Sequence, residues 1–196
     1  MKRMVGFTVV LFCLAAPALW AQSSGGDHIE LGAFADYFRL SQVEPAINFV
    51  GIGGRFGFYL TPKVSLEAEM AYDFRRNFTT TFSNGITTQF ATVRTRPLTG
   101  LFGPKFQTPG RAFHLCATGK VGFINFNSTI SSGTAGFTSS VNSITSGDTR
   151  FALYPGGGAE FFLGPVGLRA EVGDEIYFDN GGRNNLRVTF GPQIRF

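Results

Sequence analysis

The last eleven residues constrain the fold of this 196-residue chain more than any other stretch. Leu186, Val188, Phe190, Pro192, Ile194 and Phe196 take alternate positions, and Arg187, Thr189, Gly191, Gln193 and Arg195 fall between them. Successive side chains of an extended strand point to opposite faces, so this segment has one apolar and one polar face.

The same split recurs upstream. In 64–74, Val64, Leu66, Ala68, Met70, Tyr72 and Phe74 alternate with Ser65, Glu67, Glu69, Ala71 and Asp73. In 113–123, Phe113, Leu115, Ala117, Val121 and Phe123 oppose His114, Cys116, Thr118, Lys120 and Gly122. In 166–178, Val166, Leu168, Ala170, Val172, Ile176 and Phe178 oppose Gly167, Arg169, Glu171, Gly173 and Glu175, with Asp174 breaking the apolar face near one end. Fainter copies run through 29–38, 49–60, 94–106 and 151–162, which makes about eight strands. Short proline-marked turns at 61–63, 108–111 and 164–165 alternate with long polar segments at 75–92 and 127–149, and with shorter ones at 41–46 and 179–185. An even number of alternating strands, joined by short turns at one end and long loops at the other, is the layout of a transmembrane β-barrel. The expected fold class is therefore all-β: an eight-stranded antiparallel up-and-down transmembrane barrel.

Alternation alone does not say which face lies outward. A soluble lipocalin-like barrel puts its apolar face inside, and a membrane barrel inverts it. Three features favour inversion. The apolar face carries aromatics near strand ends (Phe58, Tyr72, Phe74, Phe106, Phe113, Phe161, Phe178, Phe196), as interfacial girdles do. The polar face is rich in glycine (Gly51, Gly53, Gly57, Gly122, Gly156, Gly158, Gly167, Gly173, Gly191), which suits a narrow interior crowded by large charged side chains. The sequence ends on an apolar strand rather than on the helix that follows a lipocalin-type barrel. The interior is then expected to hold Arg55, Glu67, Glu69, Asp73, Lys105, Lys120, Glu160, Arg169, Glu171, Arg187 and Arg195, with Glu30, Asp36 and Glu175 beside them. Opposed charges in so narrow a space pair and keep the barrel filled.

The N-terminus supports export. Met1-Lys2-Arg3 are followed by an apolar run at 5–16 and by Ala18-Leu19-Trp20-Ala21, where Ala21 is the small residue before a cut. Residues 1–21 thus read as a secretory signal peptide, 22–28 as a short N-terminal segment and 29–196 as the barrel domain. Cys13 follows Leu11-Phe12 rather than a small residue, so no lipid anchor is expected. Cys116 is left without a partner for an internal disulfide. The net charge of +4 includes Lys2 and Arg3, and no run of Lys and Arg tracks a phosphate backbone, so no nucleic-acid partner is expected.

With its signal peptide, eight alternating segments and closing strand, the chain resembles the small outer-membrane β-barrel family, which includes the OmpA transmembrane domain, OmpX and Opa-like proteins. The ending Val188-Thr189-Phe190-Gly191-Pro192-Gln193-Ile194-Arg195-Phe196 looks like the signal read by the barrel-assembly machinery, with Phe190, Ile194 and Phe196 as its apolar positions. Pro192 departs from the pattern, because proline removes a ladder donor and belongs at an edge or bulge. The resemblance implies location in the bacterial outer membrane, with its lipids and the assembly machinery as partners.

Catalytic signals are sparse. His114 stands two residues from Cys116 on the same face, at the end marked by the Pro109-Gly110 turn, and reads as interior filling rather than an acyl-transfer site. His28 lies in the short N-terminal segment. Gly51-Ile52-Gly53-Gly54 and Gly156-Gly157-Gly158 lack the Lys-Ser/Thr and the helix of a phosphate loop, and no metal-ligand spacing occurs. The expectation is a non-enzymatic barrel without a cofactor, working through 75–92 and 127–149 toward an extracellular ligand that the sequence does not name. The alternatives are a small channel, a lipid-modifying barrel enzyme centred on His114, and a soluble lipid-binding barrel.

Overall fold

A computed structural model of the chain describes residues 28–41, 46–83, 88–132, 146–179 and 181–196. The segment expected to be the signal peptide lies outside them. Eleven strands form among the described residues: β1 (Ile29–Leu40), β2 (Ile47–Thr61), β3 (Val64–Asp73), β4 (Arg76–Ser83), β5 (Thr88–Gln107), β6 (Phe113–Ser132), β7 (Ser146–Leu163), β8 (Val166–Asp174), β9 (Ile176–Phe178), β10 (Gly182–Arg183) and β11 (Leu186–Arg195).

Eight of these strands make a closed wall. It runs β1-β2-β3-β5-β6-β7-β8-β11 and returns to β1, every pair antiparallel. At the seam, Ile29 N–H donates to the Phe196 carbonyl and Phe196 N–H to the Ile29 carbonyl, each at 2.9 Å. His28, read as preceding the barrel, also donates its backbone N–H to Phe196. Closure matters because hydrocarbon offers nothing to an unpaired N–H or C=O, so a spanning sheet can have no edge.

Two expectations about the loops need correction. Residues 75–92 are not simply a loop: β4 and the outer half of β5 form a hairpin there, from Arg76↔Thr95 to Ser83↔Thr88. The segment 127–149 contains the outer ends of β6 and β7, and its central part, 133–145, lies outside the described residues. These ends read as loops because Thr, Ser and Asn dominate them. Beyond the bilayer no lipid demands an apolar face, so a strand continues without alternating.

Four prolines stand inside strands, and each coincides with a break in one ladder only. The β1–β11 ladder stops at Gly32↔Gln193 and resumes at Ala35↔Phe190, which frames Pro192. The β5–β6 ladder skips from Phe102↔Val121 to Lys105↔Thr118 across Pro104. Beside Pro97, β5 changes partner from β3 at Leu98 to β4 at Thr95. Beside Pro155, β7 passes from β8 at Gly156 to β9 at Leu153. On the other side of each proline the pairing is unbroken, as in Leu66↔Pro104, Pro97↔Phe126, Gly119↔Pro155 and Pro192↔Leu168. A residue without an N–H is tolerated where one neighbour withdraws.

The outer face is apolar. Ile52, Met70, Leu115 and Leu163 are 59%, 57%, 54% and 73% exposed, with Phe56, Phe58, Phe102, Phe106, Phe113 and Phe161 beside them. An apolar surface of this extent suits lipid and not water. Inside, aromatics fit over glycines: Phe34 over Gly53, Phe162 over Gly167, and Tyr154 over Gly156 and Gly173. A Cβ at Gly53 would strike the Phe34 ring, whereas one at Gly54 would point outward with only the Gly32 carbonyl near, at 3.9 Å. Gly53→Val is therefore expected to destabilise the barrel by about 1–3 kcal/mol. Gly54→Val should stay within about 0.5 kcal/mol of the native protein. Reversible urea unfolding in phospholipid vesicles, followed by gel mobility, checks both.

Candidate functional site

The interior is the most elaborate part of the molecule. Eight carboxylates (Glu30, Asp36, Glu67, Glu69, Asp73, Glu160, Glu171, Glu175) and six cations (Arg55, Lys105, Lys120, Arg169, Arg187, Arg195) point into it. All are buried except Arg195, which is half-buried. The phase of each strand puts them there: with apolar residues held in lipid, every second position faces the axis.

They assemble in tiers. Nearest the short turns, Lys105 Nζ lies 3.2 Å from Glu30 and 2.8 Å from Glu160, and Arg195 reaches Glu30 at 3.1 Å. Tyr59 joins this tier by donating its hydroxyl to Glu30 at 2.6 Å. In the middle, Arg169 holds Glu67 through two bonds of 2.5 and 3.1 Å and also contacts Glu171. Lys120 lies 2.7 Å from Glu69 and 3.2 Å from Glu67, and Arg55 lies 2.9 Å from Glu69. Toward the outer end, Arg187 donates to Asp36 at 3.0 Å and to Glu69 at 2.9 Å, and Glu175 accepts from the Thr99 hydroxyl at 2.9 Å. Asp73 keeps Oδ1 without a hydrogen-bond partner. Guanidinium planes also stack on rings: Arg195 is 4.0 Å from the Phe162 centroid and Arg55 4.9 Å from that of Phe34. Such contacts favour a cation that has left water.

Above these tiers the interior changes character. Phe38, Leu40, Phe49, Leu101, Ile124, Ala152, Tyr154 and Tyr177 form a buried apolar cluster, with Ile47 and Phe126 against it. The inward face is thus polar only over part of its height. Sequence reasoning missed this cluster, and its signal is the faint alternation of the strands that supply it. It also missed Tyr59, although Tyr59 keeps the inward phase of Arg55 and Gly57.

The remaining sequence-selected residues fall as follows. His114 and Cys116 both point inward, but His114 Nδ1 lies 2.8 Å from the Thr108 carbonyl and its ring meets Phe162 edge-on. Cys116 is a buried free thiol. Asp174 sits at the outer mouth, where its carboxylate accepts from the Asn184 side chain and the Asn185 N–H. Phe190 and Phe196 lie exposed on the lipid side, 56% and 48% accessible, with Ile194 half-buried between them. No group of His, Cys, Asp and Glu among the described residues is arranged to hold a metal ion.

A closed eight-stranded antiparallel wall, apolar outside and charged inside, defines a transmembrane β-barrel. Its fold is that of the small outer-membrane barrels. Ail, the attachment invasion locus protein of Yersinia pestis, solved in complex with the heparin analogue sucrose octasulfate, is similar at TM-score 0.52 and 15% identity, over 87% of this chain and 97% of Ail. Neisserial surface protein A is similar at TM-score 0.56 and 8% identity, over 88% of this chain and all of that one, 100%. Outer membrane protein W of E. coli is similar at TM-score 0.51 and 15% identity, over 89% of this chain and 100% of that one. The sequence matches no protein-family model and no curated protein.

Removing one member of a buried ionic network leaves its partners charged and unmatched. Arg169→Leu is expected to cost about 3–5 kcal/mol, because Glu67 and Glu171 lose their principal cation. Adding Glu67→Gln to that variant should recover part of the loss, as read from urea unfolding midpoints in vesicles.

Proposed function

We propose that this chain is a non-enzymatic protein of the bacterial outer membrane, exported by a cleaved signal peptide at 1–21, whose filled barrel presents its outer segments at the cell surface. The observation that carries the reading is the filled interior. Every wall strand sends side chains into the ionic network or the apolar cluster above it. A channel needs a continuous wet path, and a plug of Phe38, Phe49, Leu101, Ile124 and Tyr154 does not favour one. The outer ends of β4 to β7 and segment 133–145 then carry the contacts with other molecules, since rigid scaffolds keep their specificity in their loops. Phe190, Ile194 and Phe196 would be read by the barrel-assembly machinery during biogenesis. An enzymatic reading would need a nucleophile beside a base; His114 instead packs edge-on against Phe162, with Nδ1 at the Thr108 carbonyl, as an interior filling residue does.

Purified full-length mature protein in planar bilayers is expected to give no large, steady, ohmic current steps. Such steps would replace the scaffold by a pore. In cells, the protein should fractionate with the outer membrane and migrate heat-modifiably on SDS gels. Expression of His114→Ala in place of the native chain should leave the lipid A mass spectrum unchanged, and a missing acyl or sugar group in the variant alone would favour the enzyme.

A further inference from the structure

The interior charges balance in two of the three tiers and not in the third. Nearest the short turns, Glu30 and Glu160 face Lys105 and Arg195. In the middle, Glu67, Glu69 and Glu171 face Arg55, Lys120 and Arg169. Among the described residues, the outer tier sets Asp36, Asp73 and Glu175 against the single cation Arg187. The whole surplus of acid therefore lies there. Arg187 is also shared, for it donates to both oxygens of Asp36 and to Glu69. Its Nη1 stands 3.4 Å from Glu175 Oε2 without hydrogen bonding to it.

Asp73 is the least compensated of the three acids. Asp36, Gly51 and Asp73 are in register on β1, β2 and β3, with the glycine between the two acids. Asp73 leans into that gap, its Oδ1 2.5 Å from where a Gly51 Cβ would stand. That oxygen has no hydrogen-bond partner, and the residue is 1% exposed. The charged groups facing it are Asp36, Glu175 and Arg187. The next cations inward, Arg55 and Lys120, are held by Glu67, Glu69 and Glu171. On the β9–β10 side, Arg183 stands opposite Tyr177, and Arg150 is paired with Asp179. Glu175 is fully buried; one oxygen accepts from Thr99 at 2.9 Å, and Oε2 has no hydrogen-bond partner. Phe38 and Phe49, each two positions further out than Asp36 and Gly51, are buried in the apolar cluster above.

We propose that the outer tier is a proton-binding site: Asp73 and Glu175 each hold a proton in the folded barrel at neutral pH, leaving Asp36 and Arg187 as its ion pair. Two bare carboxylates in this place would have neither water nor sufficient counter-charge, and acids so placed keep their protons instead. Each then presents a hydroxyl donor in place of a second negative charge. A metal ion is the poorer occupant, since these acids are not arranged as a ligand set. The filled interior is thereby conditional on pH. Release of both protons leaves unmatched charge beneath an apolar cover, and water must enter the outer tier to solvate it. The site is independent of what the outer segments bind.

The test uses the full mature chain folded in phospholipid vesicles. Infrared spectra of the native barrel at neutral pH should show the carbonyl stretch of protonated carboxylic acids, shifted when the barrel is folded in deuterium oxide. Asp73→Asn and Glu175→Gln should each remove part of that band. Both variants should fold at neutral pH as stably as the native chain or more so, because an amide replaces a neutral acid. Glu69→Gln, which strips a paired carboxylate from Lys120, Arg55 and Arg187, should lower the folding constant roughly a hundredfold or more. A carboxyl protonated when folded and ionised when unfolded makes folding take up a proton. Native stability should therefore fall as pH rises above about 4, roughly tenfold in folding constant per pH unit for each such group, until the folded barrel releases its protons. The double variant Asp73→Asn/Glu175→Gln should lose that slope. Absence of the carboxylic band from the native barrel would overturn the proposal. So would a cost for Asp73→Asn equal to that of Glu69→Gln, or an unchanged pH slope in the double variant. Stabilisation of the native barrel by sodium ions but not by choline, without the band, would reassign the site to a small cation.

Discussion

Charged groups leave water only in company, and this barrel places eight carboxylates and six cations in an interior enclosed by its own wall. Much else follows from that. Inward aromatics share the space with these charges, so glycine stands where a second side chain would strike the rings of Phe34, Tyr154 or Phe162. The register of each strand is fixed just as firmly. A slip of one residue would turn Glu67, Arg169 or Arg187 into hydrocarbon and bring Leu66, Leu168 or Val188 onto the charged axis. Pairing such groups does not by itself guarantee a large gain in stability, since each first loses its hydration. Its stronger effect is to exclude alternatives, because few other arrangements leave so few charges unmatched.

The interior has two chemical regimes, and they explain how much could be read in the sequence. Segments β3, β6, β8 and β11 alternate cleanly because their inward positions in the ionic tiers are polar or small. Segments β1, β2, β5 and β7 alternate faintly because they also carry Phe34, Phe38, Leu40, Phe49, Leu101, Ala152, Tyr154 and Phe162 inward. A periodicity test sees apolar residues on both faces there and weakens. Partition into membrane and outer parts was legible from turns and loops, but the β4–β5 hairpin was not. Beyond the lipid no apolar face is demanded, and the backbone ladder of β4 and β5 forms across Thr, Ser and Asn positions that show no alternation.

Which residues point inward was legible from phase, and which of them meet was not. Arg169 and Glu67 are more than a hundred positions apart, as are Arg187 and Asp36, and their contact depends on strand tilt and on the register of several intervening ladders. Pro192 shows the reverse case. A residue that looks unfit for a strand is accommodated by a local gap in the β1–β11 ladder, which single-strand reasoning does not anticipate.

That same seam bears on the order of events as the chain enters the bilayer. Arg187 binds Asp36 across 151 positions, and Arg195 binds Glu30 across 165, so the first and last strands each hold charges that the other neutralises. Until β11 docks on β1, Glu30 and Asp36 lack part of their counter-charge and retain their water. Dehydration of the lumen and joining of the chain ends are therefore one event. A half-inserted sheet would carry bare carboxylates into hydrocarbon, so the last strand must be present before the first can be fully committed to the membrane.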